Sequence, residues 1–205
     1  MREALRFNGK VICATVSRTA DRWFVSISVE TDMPTVPCEN QARTVGVDLG
    51  VKRLATLSDG TCVEGPRPLR SALKRLRRLN RRLHRRVKGS ANRDKARRRV
   101  VRCHARVAAI RSDSLHKLTT WLVGTYGRVV VEDLNVKGMA RNRRLSRAIH
   151  DMGFGEFRRQ LDYKQSLSSS EVVVADRWFP SKSWLPTAGF RQAVRAGCAA
   201  GWTRA

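Results

Sequence analysis

Acidic residues are scarce in this chain of 205 residues: 17 Asp and Glu stand against 42 Lys and Arg, a formal charge of +25. Self-repulsion of that size adds nothing to the stability of a free domain, so it implies a polyanionic partner. Nucleic acid is the first candidate and an anionic membrane surface the second. Long apolar runs are missing too. No stretch of about 18 apolar residues occurs, which excludes a membrane-spanning helix, and the N-terminus lacks the pattern of an export signal. The chain is therefore expected to be soluble and cytoplasmic, without a membrane partner. Paired cysteines are absent: Cys13, Cys38, Cys62, Cys103 and Cys198 lie 24 or more residues apart and never as CxxC. Neither a disulfide framework nor a zinc finger is expected from that spacing. Aromatic residues, at 6%, are few.

Apolar residues make up 41% of the chain, enough for a core. Val11–Val16 and Trp23–Val29 predict a β-hairpin turning at Thr19–Arg22, followed by a linker over 31–43. Thr44–Gly50 and Leu54–Gly60 predict two further strands, the second closed by the turn signal Asp59-Gly60. From Pro66 the composition changes. Between Arg67 and Arg111 there are 19 Lys and Arg and one acidic residue, Asp94. Leu69, Leu73, Leu76, Leu79 and Leu83 recur at helical spacing. After a break at 88–92, a second helix is predicted over roughly 93–123, with Val100, Val101, Val107, Ile110, Leu115, Leu118 and Leu122 as its apolar positions. The two make an antiparallel helical hairpin. Gly124–Gly127 turns the chain into the strand Arg128–Leu134. A basic loop at 141–147, a helix near 153–165 and a strand at Glu171–Asp176 follow. From Trp178 to Ala205 no period is evident.

One pattern points to chemistry. Asp48 follows Val45-Gly46-Val47, and Glu132 follows Val129-Val130-Val131. A carboxylate at the end of an apolar strand is costly to bury as an ion without a compensating positive charge, and a divalent metal supplies one. Two Mg²⁺ ions held by such carboxylates are a known device for phosphodiester hydrolysis. A turn or capping role is the plain alternative for each residue, and spacing alone leaves the two open. On the basic helices, Arg77, Arg78, Arg81, Arg82, Arg85 and Arg86 fall on the polar side of the leucine stripe, as phosphate contacts or a solvated face. Lys137 and Gly138 suit either the approach of a phosphate or a plain turn. His84, His104, His116 and His150 follow no ligand spacing, and Trp23 and Trp178 are expected to anchor a core or an interface.

Thr44–Gly60 (TVGVDLGVKRLATLSDG), Val129–Met139 (VVVEDLNVKGM) and Asp176–Lys182 (DRWFPSK) closely resemble, in order, three motifs of the TnpB/OrfB family of insertion-sequence proteins. The resemblance implies an α/β fold: an incomplete, mixed RNase H-like (RuvC-type) sheet with the basic helical hairpin inserted at about 67–123. It implies a transposase-type, RNA-guided DNA endonuclease, with guide RNA and DNA as partners and no small-molecule substrate. Asp48 and Glu132 match the family's first two catalytic, Mg²⁺-binding carboxylates. The hairpin at 11–29 resembles the end of the family's N-terminal β-barrel, which makes 1–43 a remnant plus linker, 44–182 the nuclease core and 183–205 an atypical tail. Guidance by base pairing leaves such a protein to read mainly backbone shape and a short flanking motif.

The match is incomplete. Family members carry a Cys₄ zinc ribbon and a third catalytic Asp beyond the last strand. Here Asp176 is the last acidic residue and Cys198 the only late cysteine, so no zinc is expected. The expectation is a copy truncated at both ends, with Mg²⁺ weakly held and cleavage impaired. The alternative is a non-catalytic RNA- or DNA-binding remnant, and a third is a decayed reading frame with no stable product.

Overall fold

A computed structural model describes residues 9–30 and 35–175; the DRWFPSK motif, Trp178, Cys198 and the tail at 183–205 lie outside them. The described elements are β1 (Lys10–Thr19), β2 (Arg22–Glu30), β3 (Asn40–Leu49), β4 (Ala55–Leu57), β5 (Cys62–Val63), α1 (Pro68–His84), α2 (Ala91–Thr125), β6 (Tyr126–Glu132), α3 (Val136–Ala140), α4 (Ser146–Met152), α5 (Phe154–Gln165) and β7 (Glu171–Ala175). Two compact units result: residues 9–30 with 68–110, and residues 35–67 with 111–175.

In the first unit β1 and β2 pair antiparallel through a turn in which Ala20 has a φ of 60°. The predicted hairpin is there, but its apolar side chains stand in solvent. Ile12 is 64% exposed, Val16 62% and Trp23 67%. Trp23 is therefore no core anchor; the Arg18 guanidinium lies 5.4 Å from its ring centroid instead. A pair between Asp21 and Arg102 (2.6 Å) ties the hairpin turn to α2. The leucine stripe of α1 buries Leu76 and Leu79 against Val100 and Cys103 of α2, flanked by Leu69, Ala72 and Leu83. Ser90 caps α2 by accepting from the Arg93 amide (3.2 Å). The Arg93 guanidinium reaches back to the Leu83 and Arg86 carbonyls at the end of α1.

The second unit is a mixed five-stranded sheet in the order β5-β4-β3-β6-β7. β3 runs antiparallel to β4 and parallel to β6, and β6 runs parallel to β7. Val45, Val47, Ala55, Leu57, Val129 and Val131 occupy one face by the period of two. They form one core with Leu115, Leu118 and Leu122 of α2 and with Ile149, Phe154, Phe157 and Leu161 of α4 and α5.

Several boundaries differ from sequence expectation. Residues 40–43 belong to β3 rather than to a linker, and β5 pairs with β4 where no strand was foreseen. The register of β3 on β6 shifts between Asn40 and Thr44. That shift brings the Gln41 carbonyl so close to Gly127 that a Cβ there would sit 1.9 Å from its oxygen. Gly124–Gly127 is no turn, because α2 passes directly into β6. The helix predicted near 153–165 is α5, but a short helix not foreseen, α4, begins within the expected loop at Ser146 and is set off from α5 at Gly153, with φ of 74°. Val101 and Ile110 are exposed; the inward row of α2 runs through Val100, Cys103, Val107 and Arg111 to Leu115, so their neighbours in sequence face out.

Candidate functional site

Asp48 and Glu132 end adjacent parallel strands. The ladder pairs Val45 with Val129 and Val47 with Val131, and the next step of that register sets Asp48 beside Glu132, roughly 4.8 Å apart along the sheet. Because Val47 and Val131 face the core, alternation turns both carboxylates to the other face. Both residues are open to solvent. Even so, partial desolvation, and then the negative charge of Asp48, hold the Glu132 carboxyl above the usual carboxylate range. Two carboxylates placed together, the charge of Asp48 opposing the ionisation of Glu132, are a donor set that fits one hard divalent cation. Among the described residues no third His, Cys, Asp or Glu joins them to complete a metal-binding group.

The turn after Asp48 is held from outside. The Gly50 amide donates to the Leu54 carbonyl (3.3 Å). Arg67, with φ of 43°, donates to the carbonyls of Val51 and Lys52. Asp59, read from sequence as a turn signal alone, does more than accept from the Thr61 amide: it also takes the Tyr126 hydroxyl (2.6 Å) and pairs with Arg43 (3.3 Å). Burial opposes its ionisation, yet those hydrogen bonds outweigh burial and leave its carboxyl below the ordinary range. Burial and the same bond push the Tyr126 hydroxyl up to about 12.

The six arginines singled out on the basic stretch are all exposed. Arg77, Arg81 and Arg85 follow one another at four-residue intervals, as do Arg78, Arg82 and Arg86, and the bond from the Arg85 amide to the Arg81 carbonyl (3.2 Å) continues the winding past His84. Each row therefore repeats about every 6 Å. They belong to the first unit, whereas Asp48, Glu132 and Lys137 belong to the second. Lys137 is exposed on α3, five residues after Glu132.

Two buried polar groups escaped the sequence. Asp151, 3% exposed, meets the Arg111 guanidinium at 3.3 Å. Lys164 donates to the His116 carbonyl (2.9 Å) and to the hydroxyls of Thr119 and Thr120 (both 2.7 Å), with its ammonium held below the usual range by burial. Only the polar residues at helical spacing on α2 (Arg111, Thr119) hinted at either.

The mixed sheet, with two carboxylates ending adjacent strands and an arginine-rich helical segment between them in sequence, makes this an α/β protein with a candidate metal-binding pair. Residues 24–143, which include both carboxylates and all of α1, match the family OrfB_IS605, described as a probable transposase; the chain belongs to that family. A relative from Streptomyces pristinaespiralis, named "Putative RNA-guided DNA endonuclease", is 46% identical over 176 residues, covering 85% of this chain and 43% of the relative. The "Putative RNA-guided DNA endonuclease InsQ" of Escherichia coli strain K12 is 38% identical, covering 88% and 48%. A Mycobacterium tuberculosis protein with the same description (strain CDC 1551) is 41% identical, covering 84% and 40%. The chain thus spans less than half the length of these curated relatives. Among the described residues no helix is long and apolar enough to cross a membrane.

Proposed function

We propose that the chain is a nucleic-acid-binding protein of the RNA-guided DNA endonuclease type on an RNase H-like sheet. Asp48 and Glu132 hold a divalent cation, Mg²⁺, while the arginine rows of α1 grip guide RNA and DNA. The observation that carries this is the side-by-side placement of two carboxylates whose charges interact across adjacent parallel strands. The sheet order, with one antiparallel and one parallel neighbour of β3, supports the RNase H-like assignment.

When bound, such a cation activates water and stabilises the leaving oxygen in phosphodiester hydrolysis. The chain's own part is to present two oxygen donors, one of which keeps its proton to higher pH than an ordinary glutamate. Protons and metal therefore compete at Glu132. Six arginine–phosphate contacts would give duplex binding a salt slope of about −5. Cleavage is impaired, because two carboxylates hold one cation weakly and no third donor among the described residues joins them. The same observation favours a second reading, a binding protein that sequesters guide RNA or occupies sites without cutting.

The test is cleavage of a matched DNA target with guide RNA and Mg²⁺, by the wild type, Asp48→Ala and Glu132→Ala. Salt-sensitive binding in all three with no cleavage supports impairment. Wild-type cleavage lost in both variants overturns impairment and keeps the nuclease site. Cleavage that survives both substitutions refutes the assignment of the pair, and a chain that binds no nucleic acid refutes the whole proposal.

A further inference from the structure

In the unit that holds the carboxylate pair, one strongly charged segment remains unused. From Leu134 to His150 the chain carries five Lys and Arg and no acidic residue. Four of them, Arg141, Arg143, Arg144 and Arg147, lie within seven residues; all four are exposed, and none forms an ion pair with a described residue. A run of this kind on a loose loop would be a solvated surface and nothing more.

This one is built. Asn142 organises it: its side-chain oxygen accepts from the Arg144 amide (3.0 Å), and its carbonyl accepts from the Leu145 (3.1 Å) and Ser146 (2.8 Å) amides. Upstream, the Arg141 amide closes on the Gly138 carbonyl (3.2 Å). Val136 and Met139 pack against the sheet's core, which roots the turn in the unit that carries the carboxylates. The path is short. Three residues and then α3 separate Glu132 from Arg141, a path of at most about 20 Å even if those three were fully extended. At a duplex rise of about 3.4 Å per nucleotide, a strand whose phosphate lies at the pair passes this turn within about six nucleotides.

We propose that the turn at 141–147 is a second phosphate-binding element, distinct from α1, that grips the backbone of a single DNA strand on its way to the Asp48–Glu132 pair. A turn this small presents its guanidiniums to consecutive phosphates of one strand; the two backbones flanking a major groove about 12 Å wide ask for a longer element. Exposed Leu145 (43%) sits among the arginines, where a base can rest on it. This rests on the function proposed above, and its test is run in EDTA so that it does not depend on cleavage.

The measurement is fluorescence anisotropy of a labelled single-stranded DNA, the same sequence as duplex and the same sequence as RNA, against KCl concentration. The proteins are the full chain and its R141A/R143A/R144A variant. Three lost contacts should lower the single-strand salt slope by about 2, with duplex binding and the thermal melt unchanged. Asn142→Ala, which keeps every charge but releases the turn, should weaken single-strand binding several-fold. An unchanged single-strand slope overturns the proposal. So does an equal loss on duplex or on RNA, or an Asn142→Ala variant that binds single strands like the wild type. Failure here with the carboxylate results intact would leave the proposed function standing.

Discussion

β1–β2 and β3–β6 are written in similar residues and meet opposite fates. Val11-Ile12-Cys13-Ala14-Thr15-Val16 is as β-branched as Thr44-Val45-Gly46-Val47, yet Val16 is 62% exposed while Val45 is 1% exposed. What differs is cover. β3 and β6 lie under residues 115–122 of α2 and under α5, and among the described residues β1 and β2 have only each other within their sheet. Strand-forming sequence dictates an extended backbone; burial depends on what the rest of the chain lays over it.

That contrast can be tested from its buried side outward. Phe157→Ala removes a fully buried ring from the covered sheet and should cost about 3–5 kcal/mol, read as faster amide exchange at Val129 and Val131. Arg111→Ala takes the guanidinium away from the buried Asp151 carboxylate and should cost about 3 kcal/mol in chemical denaturation. Arg111→Lys, a point charge without the guanidinium fork, should recover only part of it. A smaller effect is expected from Lys164. Its folded value lies below the ordinary 10.5, so between the two the unfolded chain binds more protons, and stability should rise with pH across that window. Lys164→Met should flatten the rise, measured by melts at several alkaline pH values. Least of all, Val16→Ser on the uncovered hairpin should change stability by under about 0.5 kcal/mol. A loss of several kcal/mol there would mean that the hairpin is covered after all.

Much of the sheet unit was legible because its strands are short β-branched runs and the carboxylates repeat the same local pattern at Asp48 and Glu132. The helices were legible by spacing, with one systematic error: Val101 and Ile110 are apolar but exposed, and the inward row of α2 passes instead through Cys103 and the half-buried Arg111. What stayed hidden depends on distant partners. Tyr126 with Asp59, Arg111 with Asp151 and Lys164 with Thr119 are pairs 67, 40 and 45 residues apart, and no local period reports a contact across such a gap. β5, with two residues, exists only because β4 offers it an edge, and α4 is separated from α5 by the conformation of one glycine. The site followed the same rule. Register alone placed Asp48 beside Glu132, whereas the effect of burial and of the Asp48 charge on Glu132 required the assembled sheet.

The passage from α2 to β6 has no spare residue: Thr125 ends the helix and Tyr126 begins the strand. One residue inserted at that junction would turn the preceding helix by about 100° relative to the strand and slide it about 1.5 Å. Leu118 and Leu122 would leave the core while Val129 and Val131 stayed. Deletions and insertions should therefore be purged here and tolerated in the connection at 85–90, where Gly89 has open space around it. This junction acts as a ruler, fixing the distance in sequence between the leucines of α2 that cover the sheet and the second carboxylate at the end of β6.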